Sequence, residues 1–371
     1  MKIAIPAETA SGESRVAASV ESVKAYVKRG LKVAVEQGAG KGAFITDDAY
    51  RAQGAEVGAR KDILADADII LGVRRPDASV IASAKQGAVI IAQMNPYDDK
   101  AGLQAFATKG LQVFSMELMP RISRAQSMDV LSSQANLAGY KSVILAAEHF
   151  ARAFPQMMTA AGTVSPAKVF VMGVGVAGLQ AIATARRLGA IVSATDVRKA
   201  TEEQVKSLGA KFVFADVEDA ATAGGYAKEL SDADKAKQAA LIADHIKTQD
   251  IVITTALIPG RPAPQLVSQA MVESMKPGSV IVDLAAERGG NCPLTKAGEI
   301  VMHQDVAIIG AVNLAGSLAG NASGLYARNL QNFLELIVSK EGQTAIDWED
   351  EIIKGTGLIQ NGAAVHPLIT A

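Results

Sequence analysis

The sequence has very little of three things: cysteine, aromatic side chains and surplus charge. Its single cysteine, Cys292, excludes a disulfide framework and a cysteine-based metal cluster, and suits a reducing compartment. The 37 basic and 38 acidic residues give a formal net charge of −1, so no excess of Lys and Arg is available to displace counterions from nucleic-acid phosphates. Aromatics make up 4% of the chain while hydrophobic residues make up 49%, which excludes intrinsic disorder and is typical of tightly packed α/β proteins.

Long apolar runs are also scarce, and one stretch needs separate treatment. Residues 306–327 carry no charge and are long enough in principle to cross a bilayer. They contain several Asn and Ser residues and the spaced glycines Gly316, Gly320 and Gly324, and each glycine weakens a helix interior. We therefore predict a buried strand and loop that lead into a helix with a glycine stripe. The amino terminus has no apolar signal core, and we expect the chain by itself to be soluble.

The length of 371 residues predicts two domains at about 150 residues each. Short apolar runs alternate with helical patterns throughout, which is typical of parallel βα units. We predict an α/β fold of two Rossmann-like, doubly wound parallel-sheet domains, joined by long helices, with a cleft between them. Residues 1–132 and 325–371 form the first, discontinuous domain, and residues 133–324 the second. Asn361 and Gly362 predict a hairpin in the tail, which we expect to return to the first domain.

The predicted elements are short and regularly spaced. Strands are expected at residues 2–6, 32–36, 68–73, 88–94, 112–116, 168–172, 191–196, 211–214, 251–254, 280–283 and 307–309. Helices are expected at residues 20–29, 47–53, 100–109, 136–153, 179–188 and 325–338.

The strongest local motif is a glycine turn made of Gly173, Val174, Gly175, Val176, Ala177 and Gly178. It follows a predicted strand and precedes a helical pattern, the context in which such a turn binds a dinucleotide pyrophosphate. The next strand ends at Asp196, placed to accept hydrogen bonds from ribose hydroxyls and to repel a 2′-phosphate. The alternative is a glycine-rich turn without a ligand, and Arg198 complicates the choice of nucleotide because an arginine can bind a 2′-phosphate. We predict dinucleotide binding, with NAD preferred.

A polar cluster follows the fifth predicted strand, where open α/β sheets place ligands. It contains Arg121, Arg124, Gln126, Ser127 and Asp129. A glutamine amide can bind a carboxamide or a ribose, and an arginine can clamp a carboxamide or a phosphate. The same residues also fit a structural role, in which Ser127 caps a helix and an Arg–Asp pair lies on the surface. Chemistry alone leaves both interpretations open.

Longer motifs carry a family resemblance. They are RISRAQS at residues 121–127, LSS at 131–133, NLAGY at 136–140, TAAG at 159–162, the glycine turn, GGYAK at 224–228, TTALIPG at 254–260 and GSVIVDLAA at 278–286. Together they closely resemble the NAD(H)-binding component of the proton-translocating nicotinamide nucleotide transhydrogenases, in the alanine dehydrogenase/transhydrogenase family. The resemblance covers nearly the whole chain, and the related alanine dehydrogenases share the fold but fewer of these motifs.

The resemblance implies roles for individual residues. A catalytic group around the nicotinamide consists of Arg121, Gln126, Asp129 and Ser132. Cofactor contacts are implied at Arg124, Gly173, Val174, Gly175, Val176, Gly178, Asp196, Val197, Arg198, Gly225, Tyr226, Ala256 and Leu257. Gly225 and Tyr226 match the tip of a loop that closes over the nucleotide. The second domain is then the NAD(H)-binding Rossmann domain, NADP(H) is held on a partner subunit, and no metal is implied.

Partners follow from the same resemblance. It implies a homodimer that docks on membrane-embedded transhydrogenase subunits and on an NADP(H)-binding component, with no nucleic acid and no membrane span of its own. The expected location is cytoplasmic, at the inner membrane through the partner subunits. Two segments depart from the family pattern, residues 93–96 and 313–318, and Glu287 stands where the family's dehydrogenases have a catalytic Asp. Arg15 and Arg74 are interpreted as inherited or structural.

Proton chemistry discriminates between the possible enzymes. An amino-acid dehydrogenase needs a general acid/base, and its relatives carry a His after the fourth strand, whereas the four histidines here are His149, His245, His303 and His366. Direct hydride transfer between two nicotinamides needs positioning and exclusion of water, without an acid or base. We therefore favour the transhydrogenase component over an alanine dehydrogenase-like enzyme and over a nucleotide-sensing subunit without catalysis.

Overall fold

The computed structural model describes residues 1–214 and 232–370, and the chain divides into two compact units. Unit 1 contains Met1–Gln134 and Ala315–Ala371, and unit 2 contains Ala135–Leu314. The second predicted boundary, at residue 324, falls inside a helix that spans Ala319–Ile337 and belongs wholly to unit 1. The units therefore divide before that helix begins.

Strands and helices alternate along the described residues. The strands are β1 (Lys2–Ile5), β2 (Lys32–Glu36), β3 (Glu56–Gly58), β4 (Ile69–Leu71), β5 (Val89–Ala92), β6 (Gln112–Ser115), β7 (Met157–Thr159), β8 (Gly162–Val164), β9 (Lys168–Met172), β10 (Ile191–Thr195), β11 (Lys211–Phe212), β12 (Ile251–Thr254), β13 (Val280–Asp283), β14 (Ile300–His303), β15 (Val306–Gly310), β16 (Gly357–Gln360) and β17 (Ala363–Ala364). The helices are α1 (Val20–Lys28), α2 (Asp47–Arg51), α3 (Arg60–Leu64), α4 (Ala78–Ser83), α5 (Gln104–Thr108), α6 (Val130–His149), α7 (Val176–Arg187), α8 (Glu202–Ser207), α9 (Asp232–Ile246), α10 (Gln269–Glu273), α11 (Ala319–Ile337), α12 (Glu351–Thr356) and α13 (Pro367–Thr370).

The sheet of unit 1 has the order β17-β16-β6-β5-β4-β1-β2-β3. From β1 the chain winds outwards through β2 and β3, then returns to β4 beside β1 and winds the other way. The core strands are apolar on both faces because helices cover both: in β1, Ile3 and Ile5 join one buried cluster and Ala4 joins the other. The predicted doubly wound parallel α/β fold is confirmed for this unit.

Unit 2 repeats the architecture with the order β11-β10-β9-β12-β13-β15-β14. Strands β9, β10, β12, β13 and β15 are mutually parallel where they pair. The winding direction reverses between β9 and β12, the position at which open α/β sheets bind ligands. Strand β14, which the sequence analysis missed, is an antiparallel edge strand whose residues are only partly buried, so it lacks the apolar signal of a central strand.

The tail hairpin forms at the predicted position. Asn361 and Gly362 have φ angles of 48° and 83°, the left-handed backbone that a two-residue hairpin turn requires. Strand β16 pairs with β17 and also runs antiparallel beside β6. The tail therefore completes the sheet of unit 1.

Two long helices begin earlier than predicted. Helix α6 starts at Val130 because Asp129 receives the backbone N–H of Ser132 at 3.0 Å, an N-terminal cap that the sequence analysis placed at Ser127. Helix α11 starts at Ala319 and continues through Gly320 and Gly324, because burial of its apolar face outweighs the low helix propensity of glycine. Within the described residues, no helix has the length and apolar character to span a membrane.

Candidate functional site

The glycine turn lies between β9 and α7, at the point where the sheet of unit 2 reverses its winding. Gly173 has a φ of 102°, and a Cβ there would lie 2.5 Å from Thr255 Oγ1. A Cβ on Gly178 would collide with the carbonyl oxygen of Gly173, so this glycine permits close packing of helix on strand. In the described part of the chain, a Cβ on Gly175 would meet nothing within 4 Å. The space in front of Gly175 is open, as a pyrophosphate requires.

Helix α7 begins directly after this turn, with Gly175 at its N-cap. Among residues 1–214 and 232–370, no side chain caps this helix end. Its first backbone N–H groups are therefore available to an anion, and the helix dipole favours negative charge there.

Asp196 follows β10 and holds the turn in place. One carboxylate oxygen, Oδ2, accepts the backbone N–H of Val174 at 2.7 Å, and Oδ1 accepts the backbone N–H of Arg198 at 2.9 Å. Arg198 also donates its side chain, Nε to Oδ1 and Nη2 to Oδ2, both at 2.8 Å. These hydrogen bonds raise the pKa of the Arg198 guanidinium above its usual range. Val197 lies between the pair, half-buried.

A loop after β12 borders the turn. Thr255 Oγ1 donates to the carbonyl oxygen of Gly173 at 3.0 Å, and Ala256 follows it. Leu257 and the adjacent Ile258 are exposed, at 48% and 42%. Two large apolar side chains in solvent beside an open anion site form a suitable wall for the flat rings of a nucleotide.

Asn291 fixes this loop, and the sequence analysis did not identify it. Its side chain is fully buried; Oδ1 accepts the Ala256 N–H at 3.1 Å, and Nδ2 donates to the carbonyl oxygens of Ala256 at 2.9 Å and Pro264 at 2.8 Å. The Asn291 N–H in turn donates to Asp283 at 2.7 Å. The available signal was its place in a glycine-rich segment just after β13, where sheet ligands gather.

The predicted catalytic group lies in unit 1, on the segment between β6 and α6 and in the first turn of α6. Residues Ser123–Met128 form a 3₁₀ turn, and Arg121 and Gln126 are exposed. Within the described residues, the Gln126 amide has no hydrogen-bond partner. Asp129 accepts from both the N–H and the hydroxyl of Ser132, the latter at 2.5 Å.

Arg124 has a different partner from the one considered. The sequence analysis allowed an Arg–Asp pair with Asp129, whereas Arg124 Nη1 donates to Asp350 at 2.7 Å. Asp350 also caps α12, so this exposed pair joins the turn to the tail of the same unit. Its nucleotide contact stays a prediction.

The predicted site residues thus fall into two groups. Unit 2 brings together Gly173, Val174, Gly175, Val176, Gly178, Asp196, Val197, Arg198, Ala256 and Leu257, and unit 1 brings together Arg121, Arg124, Gln126, Asp129 and Ser132. Gly225 and Tyr226 lie outside the described residues.

A buried ion cluster follows β1 in unit 1. Arg15 is 4% exposed and donates to Glu13 and, at 2.9 Å, to Gln134; Arg74 donates to Glu13 at 2.8 Å. Burial opposes ionisation of Glu13, but the hydrogen bonds from Arg15 and Arg74 lower its pKa to about 2. Burial raises the pKa of Glu8 to about 7. Both arginines therefore have partners within unit 1, and their interpretation as inherited or structural residues stays a prediction.

His245 and His303 have structural partners as well. His245 lies 2.8 Å from the Ser193 hydroxyl and packs edge-on against Phe170, and its pKa is lowered, chiefly by burial. His303 pairs with Glu273 at 3.0 Å. These contacts do not place His245 or His303 beside the glycine turn.

Comparisons with known proteins agree across both units. Models of the alanine dehydrogenase/PNT N-terminal and C-terminal domains match residues 4–138 and 142–367. An NAD(P) transhydrogenase alpha-subunit polypeptide from Rhodospirillum rubrum is 53% identical over 380 residues, covering 100% of this chain and 99% of that protein. A transhydrogenase structure from Sinorhizobium meliloti is 56% identical, with a TM-score of 0.90 and coverage of 98% of this chain and 100% of that one. An alanine dehydrogenase from Mycobacterium tuberculosis is 31% identical over 294 residues, covering 78% of this chain and 74% of that protein.

Proposed function

Because the chain belongs to the alanine dehydrogenase/PNT family, we propose that it is the NAD(H)-binding component of a proton-translocating NAD(P) transhydrogenase. It passes hydride from NADH to NADP⁺ held on a partner subunit, and membrane subunits couple this transfer to proton movement. The observation that carries the proposal is the open glycine turn of unit 2. It leads into a helix whose N-terminus no side chain of the described residues caps, and Asp196 holds the turn in place. The likeness along the full length to a transhydrogenase subunit supports the same choice.

Hydride transfer between two nicotinamides places few chemical demands on this chain. The bound nucleotide supplies the hydride, and the protein holds and orients it while excluding water. Gln126 suits such a role, because its amide both donates and accepts and carries no charge. The dehydrogenase alternative needs a proton donor and acceptor at the substrate, and the contacts of His245 and His303 commit those side chains elsewhere.

The decisive experiment mixes the chain with a competent NADP(H)-binding component. We expect hydride exchange between NADH and an oxidised nicotinamide analogue, dependent on NADP(H). NADH binding without exchange in that mixture refutes the proposal. Reduction of NAD⁺ by the isolated chain in the presence of alanine establishes the dehydrogenase alternative instead.

We further propose that the chain works as a homodimer, held at the inner membrane by its partner subunits. The hairpin formed by β7 and β8 supports self-association. Among the described strands it pairs only with itself, and Met158 and Met157 are exposed at 81% and 43%. An isolated hairpin with exposed apolar residues is marginally stable until another surface covers it.

Sedimentation equilibrium tests the dimer. The wild-type chain is expected at twice its monomer mass, and Met158→Asp is expected to shift it towards the monomer. Ile300→Asp, on the partly exposed edge strand β14, is the matched control. A monomeric wild-type chain would rule the dimer out.

A further inference from the structure

The segment that carries the predicted catalytic group is tied to helix α11. Residues Ser123–Met128 form a 3₁₀ turn, which is a short element with weak hydrogen-bond geometry of its own. Asn329 Nδ2 donates to the carbonyl oxygen of Ser127 at 2.8 Å, and Asn332 Nδ2 donates to the same oxygen at 3.0 Å. Two amides from one helix therefore converge on the peptide group beside Gln126.

Asn329 also holds the other end of the segment. Its Oδ1 accepts the hydroxyl of Ser133 at 2.7 Å, so one side chain bonds to positions on either side of Asp129 and Ser132. Asn329 is 7% exposed, and a buried amide with both its oxygen and its nitrogen engaged is strongly fixed in orientation. Asn332 is only partly buried, and in the described part of the chain its side chain bonds at Ser127 alone.

Helix α11 is a rigid support for this contact. Its residues Tyr326, Leu330 and Phe333 are fully buried in the core of unit 1. Catalytic groups perform best when their supports are locked by packing and by a second layer of hydrogen bonds. Misplacement by about 1 Å can slow a reaction about a hundredfold.

We propose that Asn329 is a positioning residue for hydride transfer, fixing the Gln126–Ser132 segment through Ser127 and Ser133. This proposal rests on the proposed function. Asn329 acts through the Ser127 carbonyl and the Ser133 hydroxyl, and in this role it contacts neither nucleotide. The glycine turn and Asp196, which hold the dinucleotide under the proposed function, belong to unit 2, so loss of Asn329 should slow transfer without weakening NADH binding.

Two variants of the full chain test the proposal, each combined with the NADP(H)-binding component. Asn329→Ala removes both contacts, whereas Asn329→Asp keeps the acceptor for Ser133 and loses the donor to Ser127. For both we expect the rate of hydride exchange at saturating NADH to fall at least about tenfold, with the Kd for NADH within about threefold of wild type. Asn332→Ala removes one of the two donors and should give a smaller loss.

Asn321→Ala is the matched control, because Asn321 lies on the same helix, is exposed, and has no side-chain partner within the described residues. It should leave both rate and affinity unchanged. A rate within twofold of wild type for both Asn329 variants overturns the proposal. So does a parallel loss of rate and NADH affinity, which indicates general damage to the fold.

Hydrogen exchange of the peptide covering residues 123–133 gives a readout that does not depend on activity. Both Asn329 variants should exchange this peptide at least about tenfold faster than wild type, with the rest of unit 1 unchanged. Unchanged exchange overturns the positioning role. If the wild-type chain and its partner show no hydride transfer at all, the proposed function fails. The amide hydrogen-exchange measurement still decides whether Asn329 positions this segment.

Discussion

Arg198 and Asp196 form a bidentate ion pair at the end of β10, with Nε and Nη2 each 2.8 Å from a different carboxylate oxygen. The guanidinium is therefore committed to a carboxylate two residues away, and that carboxylate also holds the N–H of Val174. A 2′-phosphate entering here would meet a carboxylate whose arginine is already engaged. We therefore expect the pair to favour NAD(H) over NADP(H) although an arginine is present.

Asp196→Asn should weaken the preference for NADH over NADPH. The neutral amide loses charge-assisted hydrogen bonds to the ribose and releases Arg198, so NADH affinity should fall about 10- to 100-fold while NADPH affinity rises. Fluorescence titration with each nucleotide measures both. Arg198→Gln is the control, since it keeps the carboxylate and should leave NADPH binding weak; tight NADPH binding by the wild-type chain would contradict the argument.

Two glycines of the turn should separate stability from binding. Gly178→Ala places a methyl group against the carbonyl oxygen of Gly173 and should lower the free energy of unfolding by about 1–3 kcal/mol. Gly175→Ala projects into open space, so stability should be unchanged while NADH affinity falls at least about tenfold, because the methyl group takes the place of the pyrophosphate. Urea unfolding measures the stability of both variants, and NADH titration measures their affinity. Equal losses of stability in the two variants would refute the separate roles of Gly175 and Gly178.

Asn291→Ala should weaken nucleotide binding through the loop that it holds. The change removes three hydrogen bonds to the partly buried backbone groups of Ala256 and Pro264, at about 1–3 kcal/mol in total, and releases the wall formed by Leu257. We expect NADH affinity about tenfold lower. Gln265→Ala, an exposed position on the same loop, is the control; NADH affinity equal to wild type in Asn291→Ala would show that the loop does not belong to the site.

Glu8 should make stability depend on pH. Burial raises its pKa to about 7 from its ordinary value of 4.5, so between these pH values the folded chain binds more protons than the unfolded chain, and stability falls as pH rises. The difference in unfolding free energy between wild type and Glu8→Gln should therefore fall by about 1–3 kcal/mol from pH 5 to pH 7.5. Urea unfolding at several pH values in this range measures the difference. A difference in unfolding free energy that does not change with pH would contradict the raised pKa of Glu8.

Glu13→Gln is the matched control for that series. The pKa of Glu13 is lowered to about 2, so the stability it contributes is present above its unfolded pKa and is lost only as pH falls towards 2. The pH dependence between pH 5 and pH 7.5 should therefore persist in Glu13→Gln, reduced only by the share of the Glu8 pKa shift that the Glu13 charge supplies.

The sequence predicted the central strands and the glycine turn because both have strong local causes. Buried parallel strands are continuous apolar runs, and the turn needs glycine at three positions for three separate steric reasons. Strand β14 was not predicted because an antiparallel edge strand is only partly buried. The start of α11 was predicted too late because tertiary packing overrides the low helix propensity of Gly320 and Gly324. These failures come from packing, which a local pattern does not contain.

The segment that carries the predicted catalytic group shows the same limit. The resemblance supplied Gln126 and Asp129, but Asn329 lies at a sequence separation of 202 from the Ser127 carbonyl it binds. Its role depends on one face of α11 meeting the 3₁₀ turn, and no spacing rule links positions so far apart. The partner of Arg124 is likewise distant in sequence, because Asp350 comes from the tail.

Strand β16 and helix α11 complete a core whose first strands are made at the amino terminus. During synthesis, β1 to β6 leave the ribosome long before Phe333 and Ile352, which share their buried cluster. At about 5–20 residues per second, that interval is roughly 10–50 s. Unit 2 is continuous in sequence, so all of its strands are synthesised during that interval. The unit whose strands are translated first is therefore completed last, and until then its partly built sheet leaves strand edges unpaired.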